Sequence, residues 1–304
     1  MSDKKCGYVA LIGEPNAGKS TLMNYMVGAK VSIVTHKVQT TRTRIRGIAI
    51  EGDAQLIFVD TPGLFQTRRN LDKAMVAAAW SGAADGDVVV LLIEAHRGVT
   101  KGVEMILEGL SKRLRPKQKI VLLINKIDMV KSEKLLALTQ QINEMFEFEE
   151  TFMVSAEKGF GIKELRTYLA ANMPKGPWLY PEDQIADVPM RMIAAETTRE
   201  KLMLRLHQEL PYFLTVETTG WEQKKDGSVR IDQMVYVIRE RHKGITLGPK
   251  GQTIKAVSIA SRTELKNLVG AEVHLFIQVK VRPKWENEPE RFTEMGLNFA
   301  DTKK

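Results

Sequence analysis

Residues 13–20 read Gly-Glu-Pro-Asn-Ala-Gly-Lys-Ser: a glycine, four residues, then Gly-Lys-Ser. No other stretch of the chain leaves the backbone so few choices. Glycines let a loop wrap an anion with its N–H groups turned inward, where a Cβ would block the approach. The helix after such a loop presents its positive N-terminal end to the same anion. Lys19 can reach the terminal phosphates of a nucleotide, and the Ser20 hydroxyl can ligate Mg²⁺. The flanks agree. Residues 8–12 are an apolar run of strand length, and residues 20–27 read as a helix. Strand, loop and helix in that order make Gly13, Asn16, Ala17, Gly18, Lys19, Ser20 and Thr21 candidate contacts to a phosphate chain.

The downstream chain supplies what a phosphate loop needs. Val38-Gln39-Thr40-Thr41-Arg42 is followed by Arg44 and Arg46 alternating with Thr43 and Ile45. The alternation predicts a strand within residues 32–47 whose arginines lie on a solvated edge. Thr40 or Thr41 is placed to close onto Mg²⁺ and the terminal phosphate. Residues 54–59 form a strand that delivers Asp60-Thr61-Pro62-Gly63. An aspartate at a strand's carboxyl end holds Mg²⁺ through water, and Gly63 lets a backbone N–H turn toward the γ-phosphate.

Residues 88–94 and 120–124 are continuous apolar runs, the pattern of central parallel strands covered on both faces. Residues 101–113 between them read as a helix. The second run ends in Asn125-Lys126-Ile127-Asp128. A carboxylate at 128 accepts two hydrogen bonds from the N1–H and 2-amino group of guanine, a donor pair that adenine lacks. Asn125 can bridge base and phosphate loop. A further strand over 151–154 leads to Ser155-Ala156-Glu157, whose backbone meets the guanine O6, and residues 162–172 form a closing helix.

In order and spacing these motifs resemble a translation-factor-class GTPase over residues 7–172. The resemblance implies an α/β doubly wound P-loop GTPase domain, residues 1–172, with nucleotide at the carboxyl ends of its strands.

Prolines 174, 177, 181 and 189 and Gly176 mark residues 173–189 as a linker. The pattern then runs helix (190–210), strand (212–219), strand (229–239), helix (242–247), Gly248-Pro249-Lys250-Gly251, helix (253–268), strand (273–281). This is the order of an α+β type II KH domain, taken as residues 190–284 with a tail at 285–304. In such modules the Gly-X-X-Gly loop and the next helix grip single-stranded RNA phosphates beside an apolar groove. Gly248, Pro249, Lys250, Gly251, Ile254 and Lys255 are the RNA-binding candidates, with Arg241, Lys243, Arg262 and Lys266 expected around the loop. A net charge of +8 and pI near 9.4 favour such a polyanionic partner.

The pairing of the two halves resembles the bacterial Era-type GTPases along nearly the whole chain. It implies a GTP-hydrolysing, RNA-binding switch acting in small ribosomal subunit assembly, bound to the 3′ end of small-subunit ribosomal RNA. The implied partners are that RNA and the small subunit, with peripheral membrane association and a monomeric state. Carried over by residue, the resemblance gives Mg²⁺ to Ser20, Thr41 and Asp60, and guanine to Asn125, Lys126 and Asp128. Ser155, Ala156 and Glu157 complete the GTP or GDP site, and Lys19, Thr41, Gly63 and Asn16 form the catalytic set. The competing function is an RNA-binding module that senses guanine nucleotide with incidental turnover. A GTPase within an RNA-modification complex is disfavoured, because no second catalytic constellation is visible.

Hydrolysis lacks one familiar part. Ras-like enzymes place a glutamine directly after the switch glycine to orient water, and here Leu64 stands there. Intrinsic hydrolysis is therefore expected to be slow. Asn16 suggests a substitute for an arginine finger, because related GTPases with an asparagine there hold K⁺ beside the phosphates.

Other features exclude rather than assign. Cys6 is the sole cysteine, so no internal disulfide and no cysteine metal cluster forms, consistent with a reducing cytoplasm. Residues 1–5 show no signal-peptide core, and the longest apolar run, 88–93, is far short of a bilayer span. The five histidines show no metal-ligand spacing. Trp285, Phe292, Met295 and Leu297 are expected to pack on the RNA-binding domain, and residues 300–304 to fray.

Overall fold

The computed structural model describes residues 4–67, 69–113, 115–116, 118–208 and 210–303. The chain divides into two compact units, Met1–Asp187 together with Phe292–Lys304, and Val188–Arg291.

In the first unit the elements run β1 (Lys5–Gly13), α1 (Lys19–Val27), β2 (Ile45–Glu51), β3 (Ala54–Asp60), α2 (Asn70–Asp85) and β4 (Val88–Glu94). They continue α3 (Lys101–Arg113), β5 (Lys119–Asn125), α4 (Ser132–Met145), β6 (Glu150–Met153) and α5 (Ile162–Asn172). The sheet order is β2-β3-β1-β4-β5-β6, parallel except for β2, which runs antiparallel to β3 at the edge. Every residue of β3 and β4 is buried, as expected for strands covered on both faces. The carboxyl ends of β1, β3 and β5 carry the phosphate loop, Asp60 and Asn125, so one edge of the sheet gathers the motifs.

Several local expectations are corrected. Residues 32–44 form bends and turns, and regular pairing begins only at Ile45. Arg42 is 1% exposed, not on a solvated edge. Helices α2 and α4 were not legible in the sequence. α2 is alanine-rich and buries Ala74, Ala79 and Ala83, giving it little contrast between faces. Of the 173–189 stretch, residues 173–187 are an ordered strap of the first unit rather than a loose linker. Buried Gln55 accepts from the backbone N–H groups of Leu179 and Tyr180 through Oε1, while its amide donates to the Tyr180 carbonyl. Ala186 bridges to Gly47.

The second unit contains α6 (Met190–Arg205), β7 (Leu214–Gln223), β8 (Val229–Val237), α7 (Glu240–Leu247), α8 (Gln252–Val269) and β9 (Val273–Val281). Its sheet is β7-β8-β9, the first pair antiparallel and the second parallel. Helix α6 stops at Arg205, and Leu210–Phe213 is a 3-10 turn, so β7 begins two residues later than its sequence pattern suggested. Leu202, Leu206, Leu214, Val235 and Val257 form the core between helices and sheet.

The tail differs most from expectation. Trp285 is buried in the second unit, its indole N–H donating to the Phe213 carbonyl. The boundary falls within α9 (Pro289–Glu294): from Phe292 onward the tail belongs instead to the first unit. There Phe292 and Phe299 pack edge to face at 5.0 Å, and the Lys73 ammonium lies 3.5 Å from the Thr302 carbonyl. Phe299–Lys303 is a 3-10 helix with Thr302 buried, so this end is folded where fraying was expected; Lys304 lies outside the described residues. Among the described residues no helix is long and apolar enough to cross a membrane.

Candidate functional site

The phosphate loop closes between β1 and α1. Gly18 adopts φ +99°, where an L side chain is strained, and a Cβ there would lie 2.2 Å from the Asn125 amide nitrogen. The Lys19 ammonium donates to the carbonyls of Gly13 at 3.1 Å and Glu14 at 2.9 Å. Burial drives its pKa down to about 8, opposed by the charges of Asp60, Glu14 and Glu94. A buried ammonium facing the loop interior suits an incoming anion, which would compensate the hydration lost on burial.

Ser20, Thr41 and Asp60 converge. The Ser20 hydroxyl donates to Asp60 Oδ2 at 2.6 Å and lies 3.0 Å from Thr41 Oγ1, which is itself 3.5 Å from Asp60 Oδ2. Thr40 turns the other way, donating to the Lys37 carbonyl. Asp60 is fully buried, and its second oxygen, Oδ1, has no hydrogen-bond partner. Burial raises the Asp60 pKa, partly offset by Ser20 and Lys19. Two hydroxyls and a carboxylate with a spare buried oxygen fit a hard, oxygen-seeking cation such as Mg²⁺, which keeps waters of its own. Ser32, which the sequence did not single out, donates to Asp60 Oδ2 at 2.9 Å.

At the base end Asn125 is 1% exposed and ties three motifs together. Its amide donates to the Ala17 carbonyl at 2.8 Å, and its Oδ1 accepts from the Ala156 N–H at 3.0 Å. The Asp128 carboxyl is held below the usual range by a hydrogen bond from Ser155 and by Lys158, 3.4 Å away. It is therefore ionised and ready to accept from a base. Two adjoining hollows follow the motifs. One, of about 240 Å³, is lined by Asn16, Lys19, Ser20, Thr41 and Gly63. The other, of about 60 Å³, is lined by Asn125, Asp128, Ser155 and Ala156. Gly18, Thr21, Lys126 and Glu157 line both.

Three further placements bear on turnover. The Asn16 amide donates to the His36 carbonyl at 2.9 Å, bringing the switch loop to the phosphate loop. Leu64 is buried in the core and its N–H donates to the Gly13 carbonyl. The Glu14 carboxylate accepts from Thr100, turned away from the loop interior.

In the second unit Gly248–Gly251 joins α7 to α8, with Lys250 at φ +49° and Gly251 at +75°. A groove beside it, lined by Leu206, Phe213, Arg239, Arg241, Ile245 and Pro249 among others, presents apolar walls and cationic rims. Ile254 packs against the core while Lys255 is exposed. Arg262 and Lys266 lie far along α8, about 15 Å or more from its start at a helical rise of about 1.5 Å per residue. Lys266 pairs there with Glu272, so these two do not surround the loop.

Comparison with known proteins covers both units. Residues 8–126 match the model of the 50S ribosome-binding GTPase family, and residues 209–286 match the KH domain model. GTPase Era of Dinoroseobacter shibae is 70% identical over 297 residues, covering 98% of this chain and 96% of the relative. GTPase Era of Brucella suis is 57% identical over 97% of this chain and 94% of its own. A crystal structure of Era in complex with MgGDPNP and nucleotides 1506–1542 of 16S ribosomal RNA is 36% identical. It superposes with a TM-score of 0.90, covering 96% of this chain and 99% of that chain. With such identity over nearly full length, the chain belongs to the Era family of GTPases.

Proposed function

We propose that this GTPase is a nucleotide-controlled switch that binds the 3′ end of small-subunit ribosomal RNA during subunit assembly. One observation carries the reading. A single chain holds a guanine-nucleotide pocket and a Gly-X-X-Gly groove, in a fold like that of Era bound to MgGDPNP and 16S ribosomal RNA. The domain limits follow as part of it: GTPase over 1–172, strap over 173–189, KH over 190–284, tail over 285–304.

Within this reading Lys19 and the loop N–H groups hold the phosphates, and Asn125, Lys126 and Asp128 select guanine beside the Ser155–Glu157 turn. Ser20, Thr41 and Asp60 would hold Mg²⁺, which when bound neutralises charge developing on the phosphates. Gly63 lies against the phosphate loop, where its N–H serves as a γ-phosphate sensor. Asn16 and the His36 carbonyl supply oxygens where K⁺ would act. Gly248–Gly251, Ile254 and Lys255 form the RNA grip. A monomeric state, a cytoplasmic location and peripheral contact with an anionic membrane belong to the proposal, supported by the family resemblance and the net charge of +8.

The test is filter binding of an RNA oligonucleotide carrying the small-subunit 3′ end, with GDP and with a non-hydrolysable GTP analogue at matched salt. RNA affinity should differ between the two nucleotide states. Gly251→Asp should abolish RNA binding while GDP affinity persists: a Cβ at 251 meets nothing within 4 Å, and the strain of a side chain at φ +75° falls on the loop before α8, in the second unit, while the nucleotide motifs are in the first. Equal affinity in both states favours the nucleotide-sensing alternative, and unchanged RNA binding by Gly251→Asp refutes the loop assignment.

A further inference from the structure

Glu94 is the last residue of β4, and its register partner on β5 is Asn125. No nucleotide-binding motif includes it. Its side chain is 7% exposed, so its carboxylate has left bulk water and depends on partners in the protein. Lys126 supplies the main one, its ammonium donating to Glu94 Oε2 at 2.6 Å. Arg97 donates to Oε1 at 3.4 Å, and His96 Nε2 lies 3.6 Å from Oε2. Arg97 also comes within 4.0 Å of Glu14, in the phosphate loop. The result is an alternating series, Lys126, Glu94, Arg97, Glu14, running from the guanine motif to the phosphate loop.

Lys126 is the residue this series restrains. Its backbone is left-handed, at φ +63° and ψ +37°, a conformation non-glycine residues adopt only under local constraint. It lines both the phosphate hollow and the base hollow, so it stands at the boundary where a bound nucleoside diphosphate would pass. A lysine stem has four rotatable bonds, and holding it in one place costs rotamer freedom. The Glu94 contact fixes that side chain before any ligand arrives, so less ordering remains to be done on binding.

We propose that Glu94 is a positioning residue for Lys126, fixing the wall between base and phosphates and so setting how long the pocket retains guanine nucleotide. The proposal rests on the assignment of this pocket to guanine nucleotide. Its prediction concerns coupling: Glu94 acts through Lys126 and should matter little once Lys126 is gone.

The experiment is the release rate of a fluorescent GDP analogue from the full chain, in a double-mutant cycle of Glu94→Gln and Lys126→Met. Glu94→Gln should accelerate release about tenfold, and Lys126→Met at least as much. The double variant should match Lys126→Met within about twofold, because the second change removes a partner already lost. Multiplied effects in the double variant overturn the proposal, since Glu94 would then act by a separate route. Release unchanged by Glu94→Gln, with Lys126→Met fast, also overturns it while leaving the pocket assignment standing. Release unchanged by Lys126→Met overturns it as well, since the wall would not depend on Lys126, whereas failure of the unsubstituted chain to bind the analogue removes the pocket assignment itself. If Glu94→Gln does not fold, Glu94→Asp, which keeps the charge and retracts it by one methylene, carries the same cycle with the same criteria.

Discussion

Replacing Asn125 by alanine tests whether one buried amide unites the nucleotide site. The side chain is 1% exposed and makes two hydrogen bonds, donating to the Ala17 carbonyl at 2.8 Å and accepting from the Ala156 N–H at 3.0 Å. Alanine removes both and leaves a carbonyl and an N–H without their partner. Each orphaned buried group costs about 1–3 kcal/mol. Water reaching the vacated space recovers part of this, so a total near the lower end, about 3 kcal/mol, is the working figure. At about 1.4 kcal/mol per decade, that is roughly a hundredfold. The loss is local, so hydrogen exchange reads it best: the Ala156 amide should lose about two decades of protection, while β4 amides stay near wild type. GDP affinity should fall by at least as much, because the variant no longer fixes the Ser155–Glu157 turn against the phosphate loop. Ala156 protection within about threefold of wild type would show that the amide does not hold these motifs together, and the reasoning would fail.

Two further outcomes follow from the same pocket. Asp128→Asn removes the acceptor for guanine's donors and offers a donor to the 2-oxo group of xanthine, so GTP affinity should fall by orders of magnitude while XTP affinity rises; equal loss of both would refute base reading at 128. GTP turnover should be faster in potassium than in sodium at equal ionic strength, and Asn16→Ala should remove the difference; stimulation that survives the substitution would eliminate Asn16 as the ion's ligand.

What the sequence revealed and what it withheld divide along a physical line. Residues 88–94 and 273–281 were read to their exact observed limits, because an apolar run or a strict alternation is a direct imprint of burial. Helix α3 was equally legible, burying Val103, Ile106, Leu107 and Leu110 on one face. Residues 32–44 misled, because alternating arginines mimic a strand while Arg42 is in fact buried among the switch residues. The strap was misread for the opposite reason. Its prolines forbid regular pairing, but Gln55, fully buried on β3, supplies the hydrogen bonds that hold it, and that partner lies 124 residues upstream of Leu179. The tail followed the same logic, its last turn lying against α2, where the Lys73 ammonium meets the Thr302 carbonyl, a partner 229 residues away that local pattern does not reveal.

The site shows the same division in its chemistry. Motif residues were legible because a phosphate or a base calls for them from outside the fold: Gly18 must leave room for Asn125, and Ser20 meets Asp60 where the pair fits a shared cation. Residues that serve those residues were silent, because any strand end or loop can carry a glutamate or a serine. Ser32 bonds to Asp60, Lys158 pairs with Asp128 and Glu94 holds Lys126, and none belongs to a recognisable string. Leu64 joins the two classes. Its identity in the sequence said only that a water-orienting glutamine is missing; its burial in the core, with its N–H on the Gly13 carbonyl, says what the position does instead. It fastens the loop after Asp60 to the phosphate loop through backbone and apolar packing. Leu64 therefore has no side-chain group to orient the attacking water, and Gly63, Asn16 and His36 line the phosphate hollow in which the proposed function would require that task to be done.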